Sequence, residues 1–159
     1  MQYLIDLIQN PLFMSAGAAW FTAQFSKFIY EGIRFGFRNA RFSGGGGMPS
    51  AHSATTIGLV TSAVITYGTG SAAFAISLFL ASVVILDATG VRLTTGKQSA
   101  ALNKMNERLI EEGREPLYEK PLDERMGHTL PEVIAGIGVG IAVAILMCTL
   151  VVPAIRSQF

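Results

Sequence analysis

Four mostly apolar segments divide the chain, at residues 12–30, 52–67, 72–86 and 133–152. Each is long enough to form a helix, and a membrane-crossing helix needs about 20 such residues. The second and third segments are short for a hydrocarbon layer of about 30 Å, so the pattern leaves open whether they cross it fully or enter from one face. The pattern predicts an all-α protein, an integral-membrane bundle of about four apolar helices.

Residues 93–127 form a polar insert between the third and fourth apolar segments. Within it, apolar side chains recur at helical spacing, opposite charged ones. The apolar set is Leu102, Met105, Leu109 and Ile110, and the charged set is Lys104, Glu107, Arg108 and Glu111. This pattern predicts an amphipathic helix that lies against the bundle or the bilayer surface. We interpret residues 1–159 as one domain that contains this insert.

Composition supports a membrane protein. Half of the residues are hydrophobic, 14% are charged and the mean hydropathy is +0.45. These values differ from those of an ordinary soluble domain. The net charge is only +1, and the sequence has no unopposed basic face. Both observations argue against nucleic acid as a partner. The expected partner is therefore the lipid bilayer.

Alternating apolar segments bring most of the nearby ionisable residues to one side of the membrane. That side receives the end of the first segment, the start of the second, the end of the third and the start of the fourth. These ends carry Lys27, Arg34, Ser50, His52, Asp87, Arg92, His128 and Glu132. Polar groups at membrane depth are costly, so such a cluster predicts a functional site.

The distribution of basic residues predicts the orientation of this site. Eleven of the twelve Lys and Arg residues lie between Lys27 and Arg125, all on the shared side, and Arg156 lies on the other. Basic residues are enriched on the cytoplasmic side of membrane proteins. The sequence therefore predicts a multi-pass protein of the cell membrane, with the site facing the cytoplasm.

A glycine-rich loop at residues 44–47 leads into Pro49-Ser50-Ala51-His52. Free backbone N–H groups at a helix N-terminus bind anions well, and the small side chains leave room for one. A Ser cap after Gly and Pro is also an ordinary way to begin a helix. The loop alone leaves both interpretations open.

The two histidines and the basic residues suit phosphoryl transfer, which needs positioning and charge stabilisation. One imidazole can attack phosphorus, and the other can protonate the leaving oxygen. His128 and Glu132 are four residues apart on a predicted helix, so the carboxylate can orient that ring. Glu132 also favours the helix N-terminus electrostatically, which requires no catalytic role.

Three motifs resemble the signatures of the type 2 phosphatidic acid phosphatase superfamily, which includes bacterial acid phosphatases and vanadium haloperoxidases. They are Lys27-x6-Arg34, Pro49-Ser50-Ala51-His52 and His128-x3-Glu132. The longer strings at residues 48–54, 87–92 and 127–133 are more similar still to its small divergent membrane branch.

The resemblance implies a role for each matching residue. His128 would be the nucleophile that forms a phosphohistidine, Glu132 would orient it in place of the usual Asp, and His52 would be the general acid. Phosphate oxygens would be bound by Lys27, Arg34, the Ser50 hydroxyl and the Ala51 backbone N–H.

The chain departs from the superfamily pattern at three positions. Phe35 replaces a Pro, Ala51 replaces a Gly, and Leu122 stands where the third motif has its Arg. Arg125 or Arg92 would have to supply that missing charge.

Asp87 has no counterpart in the general motifs. It could pair with Arg92, or join Glu132 in binding a divalent cation through hard oxygen ligands. The pairing with Arg92 is the more economical interpretation, and no other cofactor is implied.

The leading hypothesis is a membrane phosphatase that hydrolyses a lipid phosphate or diphosphate of the polyprenyl or glycerolipid type. Small soluble phosphates remain possible substrates. The alternative is a non-catalytic membrane protein that binds phosphate or lipid headgroups. The sequence leaves open whether the protein forms a homo-oligomer.

Overall fold

A computed structural model of the chain describes residues 2–36 and 46–157, without the side chain of Phe35. Every regular element in these ranges is helical, which confirms the all-α prediction. The elements are α1 (Gln2–Ile8), α2 (Pro11–Phe35), α3 (Ala51–Tyr67), α4 (Ala72–Thr89), α5 (Val91–Glu111), α6 (Leu130–Leu146), a π-helical turn (Met147–Val151) and α7 (Val152–Arg156).

Polar side chains cap the starts of the long helices. Asn10 Oδ1 accepts hydrogen bonds from the backbone N–H groups of Leu12 and Phe13, with Pro11 in the first helical position. Ser50 and Ser71 cap α3 and α4 in the same way. Each cap satisfies backbone donors that have no partner within the helix, so the sequence defines where these helices begin.

Helix α3 is the centre of the bundle, and it packs against α2, α4 and α6. Its buried positions are small residues: Ser53, Ala54, Thr56, Gly58, Ser62 and Ala63. Small side chains let helix backbones approach closely, which is the main source of helix association in lipid. The Ser, Thr and Ala content of this segment therefore reflects a helix surrounded by other helices.

Two glycines of α6 lie in close contact with the backbone at the start of α3. A Cβ at Gly136 would collide with the backbone oxygen of Ser50, and one at Gly140 would lie 2.6 Å from the backbone oxygen of Ala54. A Cβ at Gly138 would meet nothing within 4 Å. The pair four residues apart is therefore the packing face, and Gly138 is outside it.

The outer faces of the bundle are apolar. Ile76, Phe79 and Val83 on α4 are at least 60% exposed, as are Ile134 on α6 and Leu150 in the π-helical turn. Exposed apolar surface of this extent is typical of a face that contacts lipid. Among the described residues, Ala72–Glu111 and Leu130–Arg156 are long and apolar enough to cross a membrane. The architecture is that of the predicted integral-membrane helical bundle.

Helix α5 forms as predicted, but it buries a different face. Gly96, Ser99, Asn103 and Asn106 are buried, whereas the predicted apolar face is largely exposed, with Leu102, Met105 and Ile110 all above 40%. The two asparagines hold the segment that returns towards α6. The polar face of α5 is the buried one because the returning segment has backbone groups that need hydrogen-bond partners. Amide side chains can supply these bonds and leucine side chains cannot.

Asn103 and Asn106 make six hydrogen bonds to the returning segment. Asn103 Nδ2 donates to the Leu122 carbonyl and the Glu124 carboxylate, and its Oδ1 accepts from Leu122 N and the Tyr118 hydroxyl. Asn106 Nδ2 donates to the Tyr118 carbonyl, and its Oδ1 accepts from the Leu117 backbone N–H. These bonds fix the segment that leads directly to His128.

We expect Gly136→Ala to lower the melting temperature of the detergent-purified protein by several degrees. The added methyl group forces α6 away from α3, and overpacking of this kind costs about 1–3 kcal/mol. The matched control is Gly138→Ala, which we expect to be neutral or stabilising because Ala favours a helix by about 1 kcal/mol over Gly. Equal melting temperatures for the two variants would contradict the glycine contact.

Candidate active site

The two histidines of the chain meet where α3 and α6 begin. His52 Nδ1 lies 3.3 Å from His128 Nε2, and the rings pack edge to face with centroids 5.4 Å apart. His128 is 3% exposed, and His52 is partly buried. Residues 76 positions apart in sequence are thus in direct contact, on one side of the bundle.

The backbone around His128 is anchored to α4 and α5. Its N–H donates to the Ala88 carbonyl at 2.9 Å, close to the end of α4. Gly127 before it has a φ of +77°, and a Cβ there would collide with the backbone of Leu93. Only glycine suits both that conformation and that approach.

Glu132 joins the imidazole to the start of both helices. Its Oε2 lies 3.0 Å from His128 Nδ1 and accepts from the Thr129 backbone N–H at 3.2 Å. Its backbone carbonyl accepts from Ser50 N at 3.0 Å. The residue therefore forms the capping box of α6, orients His128 and attaches α6 to the turn before α3.

The order of these contacts defines the tautomers. An ionised carboxylate only accepts hydrogen bonds, so His128 carries its proton on Nδ1, towards Glu132. Nε2 of His128 then carries the lone pair of the ring, and this lone pair accepts a hydrogen bond from His52 Nδ1. The ring nitrogen of His128 that faces His52 is therefore the one that carries the lone pair.

A cavity of about 610 Å³ opens beside the histidines. His52, His128, Lys27, Ala51 and Arg92 are among the residues that line it. Lys27 and Arg92 are the two cations of this lining, and Lys27 is only 3% exposed. The structure therefore brings both imidazoles and two positive charges to one cavity.

Arg92 is held by an ion pair. Its Nε lies 2.6 Å from Asp87 Oδ2, across Gly90, the residue between α4 and α5. Both side chains are nearly half exposed, so the pair adds little to stability but restricts where the guanidinium points.

The described part of the glycine loop packs against Lys27. Gly47 has a φ of +94°, and a Cβ there would lie 2.8 Å from Lys27 Cε. A larger residue would therefore displace the lysine stem. Gly44 and Gly45 of the same loop lie outside the described residues.

Arg34 and Arg125 line a second cavity, of about 480 Å³, on the other side of Glu132. Arg34 also donates to the Tyr30 hydroxyl at 2.8 Å. Lys27 and Arg34 are two helical turns apart, which is about 10 Å along α2. The expected pair of phosphate-binding cations is thus divided between two cavities.

Ser50 is completely buried and does not line the cavity with the histidines. Its hydroxyl oxygen accepts from the backbone N–H and the hydroxyl of Ser53. The capping interpretation accounts for these contacts.

Five further residues line the cavity that sequence reasoning did not identify: Trp20, Gln24, Thr55, Thr56 and Val84. Trp20 and Gln24 precede Lys27 by seven and three positions, and the threonines follow His52 by three and four. Helical spacing from the two motif residues would have found these four.

Within the described ranges, no group of three or more His, Cys, Asp and Glu side chains could hold a metal ion. The carboxylates of Asp87 and Glu132 are bonded to Arg92 and His128 respectively.

A family model described as the divergent PAP2 family matches residues 8–143. The chain belongs to the divergent PAP2 family. This match covers every predicted site residue and confirms the resemblance to the divergent membrane branch. The chain is also 35% identical over 111 residues to the uncharacterized membrane protein YuiD of Bacillus subtilis (strain 168), covering 64% of this chain and 70% of that protein. No solved structure matches it.

We expect the nitrogen NMR spectrum of His128, recorded at a pH where both rings are neutral, to show a proton on Nδ1. Glu132→Ala removes the acceptor that fixes this tautomer, so we expect a mixture of the two forms. Glu119→Ala, which removes an exposed carboxylate outside the cavity of the histidines, serves as the control and should leave the spectrum unchanged. A protonated Nε2 in the wild-type protein would contradict the hydrogen-bond order.

Proposed function

We propose that this divergent PAP2 family member is a membrane phosphatase that hydrolyses a lipid phosphate or diphosphate through a phosphohistidine on His128. The observation that carries the proposal is the chain of contacts from Glu132 through His128 to His52, which ends in a cavity lined by Lys27 and Arg92. An oriented nucleophile, a proton donor and two cations are the parts that phosphoryl transfer needs.

The first step forms a bond between phosphorus and His128 Nε2 and breaks the bond from phosphorus to the leaving oxygen. Glu132 stabilises the positive charge that develops on the ring. His52, in its imidazolium form, donates a proton to the leaving oxygen and becomes neutral, so the leaving group departs with that proton. Lys27 and Arg92 stabilise the negative charge on the remaining phosphate oxygens.

The second step returns the enzyme to its starting state. Water attacks the phosphohistidine and gives a proton to His52, while the bond from phosphorus to Nε2 breaks. Inorganic phosphate leaves, His128 regains its lone pair and His52 regains its proton.

The direct contact of the histidines implies that they separate when substrate binds. For in-line attack, the nucleophilic nitrogen of His128 approaches phosphorus to about 3 Å. The donor nitrogen of His52 lies about 2.8 Å from the leaving oxygen on the opposite side. The two nitrogens must then be roughly 6 Å apart. They are 3.3 Å apart in this structure. Phosphate must therefore replace the hydrogen bond between them.

The shape of the cavity supports a lipid substrate. From the histidines it extends along α2 to Trp20 and reaches Val84 on α4. Helices α2 and α4 both pack on α3 but contact each other little, and Trp20 is 44% exposed. A hydrocarbon chain could therefore extend between these two helices into the bilayer.

We further propose that the apolar helices cross the cell membrane several times, with the site towards the cytoplasm. The enrichment of Lys and Arg in residues 27–125 supports this orientation. The description of the relative YuiD as a membrane protein supports the membrane location.

We expect the detergent-purified protein to release phosphate from a lipid phosphate. His128→Ala should lower this activity by more than about a thousandfold, because it removes the nucleophile. His52→Ala should lower it by about a hundredfold to ten-thousandfold, the usual contribution of a general acid. Acid-labile phosphate bound to the protein during turnover, and absent from His128→Ala, would identify the intermediate.

Arg114→Ala is the surface control for these variants, since Arg114 is exposed and pairs with Glu112. If the wild-type protein releases no phosphate from a lipid phosphate, and His128→Ala leaves the measured rate unchanged, the proposal is wrong. Binding of vanadate without a phosphohistidine would instead support a non-catalytic phosphate binder.

We expect Arg92→Ala to lower kcat/KM by about a hundredfold or more, and Arg125→Ala by less than tenfold. Removal of one donor that stabilises the charge of the transition state typically lowers the rate by about a hundredfold or more. Of the two arginines, only Arg92 lines the cavity with the histidines. A larger loss for Arg125→Ala would show that Arg125 replaces the third-motif arginine. Melting temperatures measured in parallel exclude unfolding as the cause.

A further inference from the structure

The amide oxygen of Gln24 is buried without a hydrogen bond. The residue is 8% exposed, its Oε1 is shielded from water, and that oxygen has no hydrogen-bond partner. It lines the same cavity as His52 and His128, one helical turn before Lys27. Of the buried side-chain polar atoms in the described ranges, this is the one left without a partner.

Burying the amide oxygen of Gln24 without a hydrogen bond lowers the stability of the fold. A buried polar group without a partner costs about 1–3 kcal/mol, and Gln24 belongs to a largely apolar helix. A leucine of similar size would avoid the cost. An unpaired acceptor on a residue that lines a cavity is therefore best explained by a ligand that supplies the missing donor once the amide turns towards it.

Two neighbouring hydroxyls also present acceptors. Thr55 Oγ1 donates its proton to the Ala51 carbonyl at 2.7 Å, and Thr56 Oγ1 donates to the His52 carbonyl at 2.9 Å. With their protons engaged, both oxygens can only accept from a ligand. Gln24, Thr55 and Thr56 thus give this section of the cavity three hydrogen-bond acceptors.

These acceptors lie between the two ends of the cavity. Helices α2 and α3 run in opposite directions. Gln24, one turn before Lys27, and the two threonines, one turn after His52, therefore lie on the same side, away from the histidines. Further along lies the apolar end, at Trp20. A phosphate ester with its phosphorus at His128 would place the alcohol portion here.

We propose that Gln24 binds a hydroxyl group on the alcohol portion of the substrate. The cavity would then select phosphate esters whose alcohol carries a free hydroxyl near the phosphate, such as a monoacylglycerol phosphate, over polyprenyl or diacylglycerol phosphates, which have none. One helical turn, about 5 Å, is the separation expected between the phosphate and a hydroxyl further along a glycerol unit. The placement of the phosphate end rests on the proposed function.

The test measures binding and needs no turnover. Two phosphonate analogues that cannot be hydrolysed, a monoacylglycerol phosphonate and its deoxy form, are titrated into the protein in lipid nanodiscs. We expect the wild type to bind the hydroxyl form about 3- to 10-fold more tightly, the contribution of one hydrogen bond. Gln24→Leu should abolish this preference and change the Kd of the deoxy form by less than twofold.

Gln98→Leu is the matched control, because Gln98 is an exposed glutamine outside the cavity. It should retain the preference. The melting temperature of unliganded Gln24→Leu should equal or exceed that of the wild type, since an unpaired amide is replaced by an apolar group. This measurement also shows that the variant is folded.

Equal wild-type affinity for the two analogues, or an equal loss for both in Gln24→Leu, would overturn the proposal. Because binding is the readout, these failures differ from a failure of hydrolysis, which would overturn the proposed phosphatase activity. The phosphonate analogues of glycerol phosphate and propyl phosphate repeat the comparison without an acyl chain. Tighter binding of the acylated ligands indicates a lipid source, and equal binding indicates a soluble one.

Discussion

The close approach of α3 and α6 is the constraint on which the site depends. Because Gly136 and Gly140 lack side chains, the two helices come near enough for Ser50 N to donate to the carbonyl of Glu132. That bond fixes the start of α3 against the start of α6, where the two histidines lie. The contact of His52 with His128 is therefore a consequence of backbone packing.

Around this contact, the polar groups satisfy one another. Glu132 binds the ring of His128 and the backbone of Thr129, and His128 accepts from His52. Buried polar networks are stable when each member has a partner, and the low dielectric strengthens every bond within them. Gln24 lacks such a partner, and its position in the cavity suits recognition of a ligand better than structural support.

The polar insert positions the site from outside the bundle. The hydrogen bonds of Asn103 and Asn106 hold the segment that carries Arg125 and ends at His128. This arrangement turns Arg125 to the second cavity and leaves Arg92 beside the histidines. The cations of this divergent PAP2 family member are therefore divided between two cavities, although the superfamily motifs imply one shared phosphate site.

The sequence alone determined the helices and the residues of the catalytic hypothesis. Apolar segments, caps such as Asn10 and Ser71, and the glycine pair of α6 are local signals, because they depend on helix periodicity and on hydrogen bonds within a few residues. The alternating direction of the segments also predicted that His52 and His128 share one side. Only the tertiary structure decided which cations face the histidines, which face of α5 is buried, and that Gln24 lines the cavity without a partner. These features depend on distances between residues far apart in the chain, and helix periodicity carries no information about what a helix face will meet.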